Sequence, residues 1–376
     1  MPAIHVCGDS APVPHKPVTE YIVYVGTYSV RGSQGIYAYR WDAGSGSVTS
    51  LGLQAETTNA SFLVLSPDCR FLYAVSETGE FGSRQSGSLL AYSIDRRTGA
   101  LTMLNEVASL GAGPCFVSLD KTGKFVLTAN FHGGSVAVFR VQKDGSLGAA
   151  SAIVPHHGSS IHPDRQRAPH PHAVNVSPDN RYVLAADLGL DRIFSYRFDS
   201  CKGSLVPNHP PFTLIEPGSG PRHFEFHPKG RFVYVVNEIK STVMTFAYDK
   251  SSGGLHSLQT ISTVAGFRGQ ADAAELQLDP AGRFLYISNR GPDDIRTFSI
   301  DASSGMLTAA GGGSSGGTGP RHFAIDPGGR YLFAANEASD AVVIFSIDSN
   351  TGRLTASGRV LQVASPACFV FLPIQH

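Results

Sequence analysis

PRHFEFHPKGRFVYVVNE (221–238) decides the fold, because the chain writes it again as PRHFAIDPGGRYLFAANE at 320–337. The template is a short run of alternating apolar residues, a Pro turn with Gly or Asn, Arg or Lys followed by an aromatic, and a second β-rich run. Alternation on both sides of a turn predicts a β-hairpin. Six segments carry this hairpin, each setting a second marked position 16 residues after a first. The pairs are Ser61 and Glu77, Cys115 and Phe131, His172 and Leu188, Arg222 and Glu238, Ala274 and Arg290, and Arg321 and Glu337. One member opens a strand and the other closes its antiparallel partner, so both lie at the same end of the hairpin. A rim whose chemistry varies while its scaffold repeats is the natural place for a binding site.

Successive first members are 54, 57, 50, 52 and 47 residues apart. Each unit adds two more strands, as in TVMTFAYD (242–249) and LHSLQTIST (255–263), and that period predicts the four-stranded blades of a β-propeller. A seventh unit is divided between the ends of the chain: YIVYVGTYS (21–29) matches the second strand of the template and SPACFVFLP (365–373) the first. The predicted fold is all-β, a seven-bladed β-propeller whose ring is closed by pairing of the N- and C-terminal strands, which removes the free sheet edge. A single domain is expected over 21–376. Residues 1–20 lack the cationic start and apolar core of a secretory signal and are expected to be a Pro-rich tail outside the ring.

Lysine and arginine balance aspartate and glutamate at zero formal charge, so the basic footprint of a nucleic-acid binder is absent. No apolar run reaches the ~18 residues that would suggest a membrane-spanning helix. Five cysteines without metal-ligand spacing read as thiols of a reducing compartment, which points to the cytoplasm.

The first strand of each blade lines the central channel, and alternation along it predicts a wet, polar lining of Asn175, His223, Glu225, Glu275, Gln277 and His322. At the rim, His172, Arg222, Glu238, Arg290, Arg321 and Glu337 crowd one mouth, and guanidinium forks there suit an anionic small molecule. A histidine-rich insertion, PHHGSSIHPDRQRAPHPHA (155–173), precedes His172 and is expected to fold over that mouth, lending Arg167 and His170 to a substrate. No cysteine or carboxylate shares a ligand spacing with its histidines, so neither a metal nor a cofactor is expected. The run GGGSSGGTG (311–319) reads as a flexible connector.

Three segments, HPDRQRAPHPHAVNVSPDNRYVLAADLGLDRI (162–193), GSGPRHFEFHPKGRFVYVVNE (218–238) and YISNRGPDDI (286–295), resemble the seven-bladed propeller lactonase family. That family includes 6-phosphogluconolactonases and 3-carboxy-cis,cis-muconate lactonizing enzymes. The resemblance implies a catalytic set of His172, Arg222, Glu238 and Arg290, all on the paired positions. His223, Glu275, Arg321 and His322, with Arg167 and His170, are expected to hold the substrate. Hydrolysis of a small anionic sugar lactone, without a cofactor, is the expected activity, with either Glu238 or His172 as the base towards water. Muconate cyclisation is the alternative reaction. A non-catalytic interaction platform is the alternative of another class, but the blades lack Trp-Asp endings and the only tryptophan is Trp41.

Overall fold

The structure, a computed structural model, describes residues 19–374. All but the last two residues of the expected Pro-rich tail lie outside the described residues. Seven four-stranded antiparallel sheets form a ring. The strand Pro366–Pro373 pairs with Glu20–Thr27, Tyr24 opposite Val370, so the last strand of the chain becomes the innermost strand of the first blade. Among the described residues no helix is long and apolar enough to cross a membrane.

The template residues have separable structural tasks. At the hairpin turns Asp120, Asp279 and Asp326 each accept two backbone N–H bonds through Oδ1, from the residues four and five positions on, and Ser66 and Ser177 do the same through Oγ. A side chain that satisfies two turn donors fixes the hairpin register. The following Arg lies over the aromatic beside it, with Cζ of Arg231 5.3 Å from the Phe232 ring centre and Cζ of Arg181 5.5 Å from that of Tyr182. That aromatic packs beneath the outer turn of the next blade. Gly305 must be glycine there, since it sits at φ +74° and a Cβ would come within 2.5 Å of the Phe232 ring. Two residues on, the Tyr234 hydroxyl donates to the Gly305 carbonyl at 2.9 Å. Tyr73 and Tyr286 reach the carbonyls of Gly145 and Gly352 in the same way. Apolar residues between the sheets complete the contact, such as Val233, Val235 and Phe246 in a cluster shared with the preceding blades.

Two expectations are corrected. The glycine run is not a loose connector: Gly311, Gly312 and Gly313 pair with Thr297, Arg296 and Ile295 in the strand Leu307–Ser314, and the bend is confined to 315–319. A ladder uses backbone groups alone, so side-chain-free residues serve on an outermost strand. Nor is the channel wet at every level. Phe62 lies with its ring centre 4.3 Å from Phe116, 5.7 Å from His223 and 5.8 Å from His322, so one ring touches three other blades and plugs the middle.

The alternation rule fails at one place in each of six inner strands, and that place forms the site; in the strand Pro366–Pro373 the register skips Ala367. The register shifts between Pro114 and Phe116, Pro171 and Ala173, Pro221 and Phe224, Ala273 and Leu276, and Pro320 and His322. Each shift is a β-bulge that leaves residues such as Cys115, His172, Arg222 and Arg321 without a ladder partner and turns successive side chains to one side. Arg222 and His223, like Arg321 and His322, therefore both line the same space.

Candidate active site

One small cavity lies at the mouth, lined by Ser61, Phe62, Cys115, His172, Arg222, His223, Arg321, His322 and Ala367. Six of these are the first members of their blades, Ala367 being that of the blade closed by the two chain ends. The repeat thus delivers residues from separate blades to a common point.

Glu238 anchors the cationic side. Its Oε2 accepts from Arg222 Nε at 2.9 Å and lies 3.2 Å from Arg290 Nη2, while its Oε1 is paired with Arg165. Burial would raise this carboxyl, but Arg290, Arg222 and Arg165 outweigh it and lower the pKa to about 2. Arg222 is 2% exposed and donates through Nη1 to the Ala274 carbonyl at 2.6 Å. Burial lowers its pKa to about 10, against the pull of Glu238, so it stays charged at neutral pH. Arg290 is close to Glu238 but out of line for a hydrogen bond, so its buried Nε and Nη2 have no hydrogen-bond partner among the described residues. Arg321 makes no ion pair among the described residues. Its guanidinium lies 5.0 Å from the centre of the Tyr28 ring, whose hydroxyl donates to Glu77 at 2.8 Å.

His172 enters from the blade after the histidine-rich loop. Its Nδ1 is 3.8 Å from Cys115 Sγ, its ring meets Phe131 edge-on, and Nε2 has no protein partner among the described residues. Burial first, then Arg222, His223 and Arg321, hold it well below the usual imidazole pKa, so it is neutral at pH 7. Beneath it, Glu275 accepts from His223 at 3.1 Å and approaches His322 Nε2 at 3.3 Å. These two histidines are likewise held down, chiefly by burial, His322 to about 4. Deeper still, Glu225 and Gln277 accept backbone N–H bonds from Leu278 and Ile325 of the neighbouring inner strands, which makes them ties between blades.

Of the ten site residues expected from sequence, His172, Arg222, His223, Arg321 and His322 line the cavity, and Glu238, Arg290 and Glu275 stand against those that do. His170 stacks on Phe131 at 4.5 Å and donates to its carbonyl, one step back from the cavity. Arg167 is displaced: its side chain is 76% exposed and paired with Asp164, and the arginine that the loop sends inward is Arg165. Tyr28 joins the site without having been expected there, although VYVGTY (23–28) aligned on VYVVNE (233–238) puts it at the position of Glu238. Among the described residues no group of three or more His, Cys, Asp or Glu is arranged to hold a metal ion.

This architecture has close counterparts. A family described as "Lactonase, 7-bladed beta-propeller" matches residues 22–371. The 6-phosphogluconolactonase of Bacillus subtilis is 35% identical over 307 residues, which cover 81% of this chain and 85% of that protein. Among solved structures, the periplasmic gluconolactonase PpgL of Pseudomonas aeruginosa is 38% identical with a TM-score of 0.89, over 95% of this chain and 100% of that one. A putative 6-phosphogluconolactonase from Bacteroides fragilis is 35% identical with a TM-score of 0.88, over 96% and 99%. The chain belongs to the lactonase family of seven-bladed β-propellers.

Proposed function

We propose that this protein is a sugar-lactone hydrolase acting on a small anionic lactone of the 6-phosphogluconolactone class. The observation that carries the reading is the mouth cavity itself, in which a buried neutral imidazole with an open Nε2 shares the lining with the guanidinium groups of Arg222 and Arg321, the latter without a carboxylate partner among the described residues. The activities named for relatives that cover most of this chain support it.

His172 is the base. Its Nε2 takes a proton from water as the water oxygen attacks the lactone carbonyl carbon. The carbonyl π bond opens to an oxyanion, which the free donors of Arg222 and Arg321 stabilise inside a cavity of low polarisability. On collapse the bond to the ring oxygen breaks, and the imidazolium returns its proton to that oxygen. The product is an open-chain hydroxy acid, ionised at neutral pH. Glu238 serves as an anchor for guanidinium groups: a carboxyl with a pKa of about 2 and three cations around it is a poor proton acceptor.

The described cysteines are free thiols, Cys115 and Cys368 buried, which supports a reducing, cytoplasmic location for the protein. The reading is tested with a panel of phosphorylated and unphosphorylated aldonolactones, scored by acid release above the spontaneous rate, and with muconates, scored by loss of ultraviolet absorbance. Turnover of an aldonolactone is expected. Loss of conjugated muconate with no acid release would replace hydrolysis by cyclisation at the same arginines.

A further inference from the structure

A larger cleft of about 440 Å³ is lined by His162, Asp164, Arg165, Ile239, Gln270, Ala271 and Asp272, and the chain Arg165–Glu238–Arg222 links it to the mouth cavity. The mouth cavity alone is smaller than the roughly 300–1,000 Å³ usual for small-molecule sites. Arg165, with the Glu238 carboxylate it holds, stands between the two spaces. Its side chain is 37% exposed and also lies 3.8 Å from Asp272.

The loop that carries Arg165 is firmly built. Its first residue, His156, is bound to Asp187 at 2.6 Å and to the Tyr196 hydroxyl at 2.8 Å. Ser160 donates to Asp191 at 2.5 Å, Gln166 to the Leu188 carbonyl at 2.8 Å, and the His170 N–H to Asp187 at 2.8 Å. Arg165 therefore projects from a fixed backbone, and only its side chain needs to move. Glu238 does not depend on it, since Arg222 and Arg290 stay beside that carboxylate when Arg165 leaves. Next to Arg165, His162 Nδ1 accepts the N–H groups of Asp164 and Arg165 at 3.3 and 3.2 Å. That assigns the ring proton to Nε2 as a further donor. A guanidinium, an imidazole N–H and the Gln270 amide together suit an oxyanion with several acceptors.

We propose that Arg165 is the specificity-determining residue for the substrate's distal phosphate: with the lactone ring in the mouth cavity, it exchanges Glu238 for a phosphate monoester in the adjoining cleft. This rests on the lactonase reading and adds to it a position for the group that distinguishes phosphorylated from unphosphorylated gluconolactone. Asp272 is the rival carboxylate that the phosphate displaces.

The test compares 6-phosphogluconolactone with gluconolactone on wild type, Arg165→Met and Asp272→Asn. Arg165→Met is expected to raise KM for the phosphorylated lactone about 10–100-fold, as loss of a charge-assisted pair would, and to lower the preference for it at least about tenfold. Asp272→Asn is expected to move that KM downwards. Equal losses on both lactones in Arg165→Met, or no change in preference, would overturn the proposal by reducing Arg165 to a prop for Glu238. If wild type hydrolyses neither lactone, the lactonase reading fails on its own. Calorimetric titration with 6-phosphogluconate and gluconate then decides the phosphate site: a preference for the phosphorylated acid that Arg165→Met abolishes upholds it, and equal binding of the two overturns it.

Discussion

At Glu238 three guanidinium groups surround one carboxylate, while His172, in the cavity that Arg222 also lines, keeps an unpartnered nitrogen. Residue types alone leave both as candidate bases, since either side chain can accept a proton from water. Environment separates them. Three neighbouring cations outweigh burial and hold the Glu238 carboxyl at about 2, whereas burial and nearby charge depress the imidazole, so His172 is deprotonated, and competent as a base, well into the acid range. The activity carried by a base falls as pH drops through its pKa, so the acid limb of kcat/KM should have its midpoint well below pH 6.5. A pH–rate profile of the free enzyme checks this, and a midpoint at or above 6.5 would return the role to an ordinary exposed histidine.

Strands, turns and blade order were legible because their signals are local: alternation, turn residues and the Arg-aromatic step recur at a fixed period. The β-bulges were not, because an extra residue in a strand leaves no mark of its own in the sequence. Their effect is large, since Arg222 and His223 face one space where strict alternation would separate them. Arg165 escaped for a related reason: two arginines lie two residues apart in the loop, and only its folded path shows which one turns inward. The packing of blade on blade also makes a prediction at this scale. Gly305→Ala puts a methyl into the Phe232 ring and a side chain at positive φ, and should cost about 2–3 kcal/mol. Denaturant unfolding measures it, and a loss under about 0.5 kcal/mol would mean that the turn does not clamp the neighbouring blade.

Across the whole molecule the ring brings residues from 28 to 367 to one mouth and closes through its two ends. That closure was readable because SPACFVFLP and YIVYVGTYS each carry half of a hairpin template. The same ring encloses acids in its channel. Burial lifts the Glu225 pKa to about 8, so the folded state holds this proton while the unfolded chain, near 4.5, has lost it. Its contribution is therefore favourable below pH 4.5 and declines as pH rises towards 8. Glu225→Gln, whose amide oxygen can still accept the Leu278 N–H, should match wild type near pH 4. It should exceed it by about 1–3 kcal/mol at pH 8, the lower figures allowing for water reaching the channel. Denaturant unfolding at the two pH values measures this, and a difference that shrinks with rising pH would contradict the assignment. On the mechanism proposed, hydrolysis depends on His172 meeting the lactone. The most direct measurement is kcat for 6-phosphogluconolactone in His172→Asn beside wild type, with thermal melting to show an intact ring. A loss of about 10²–10⁴-fold at unchanged melting temperature is predicted, and turnover within twofold of wild type would contradict it.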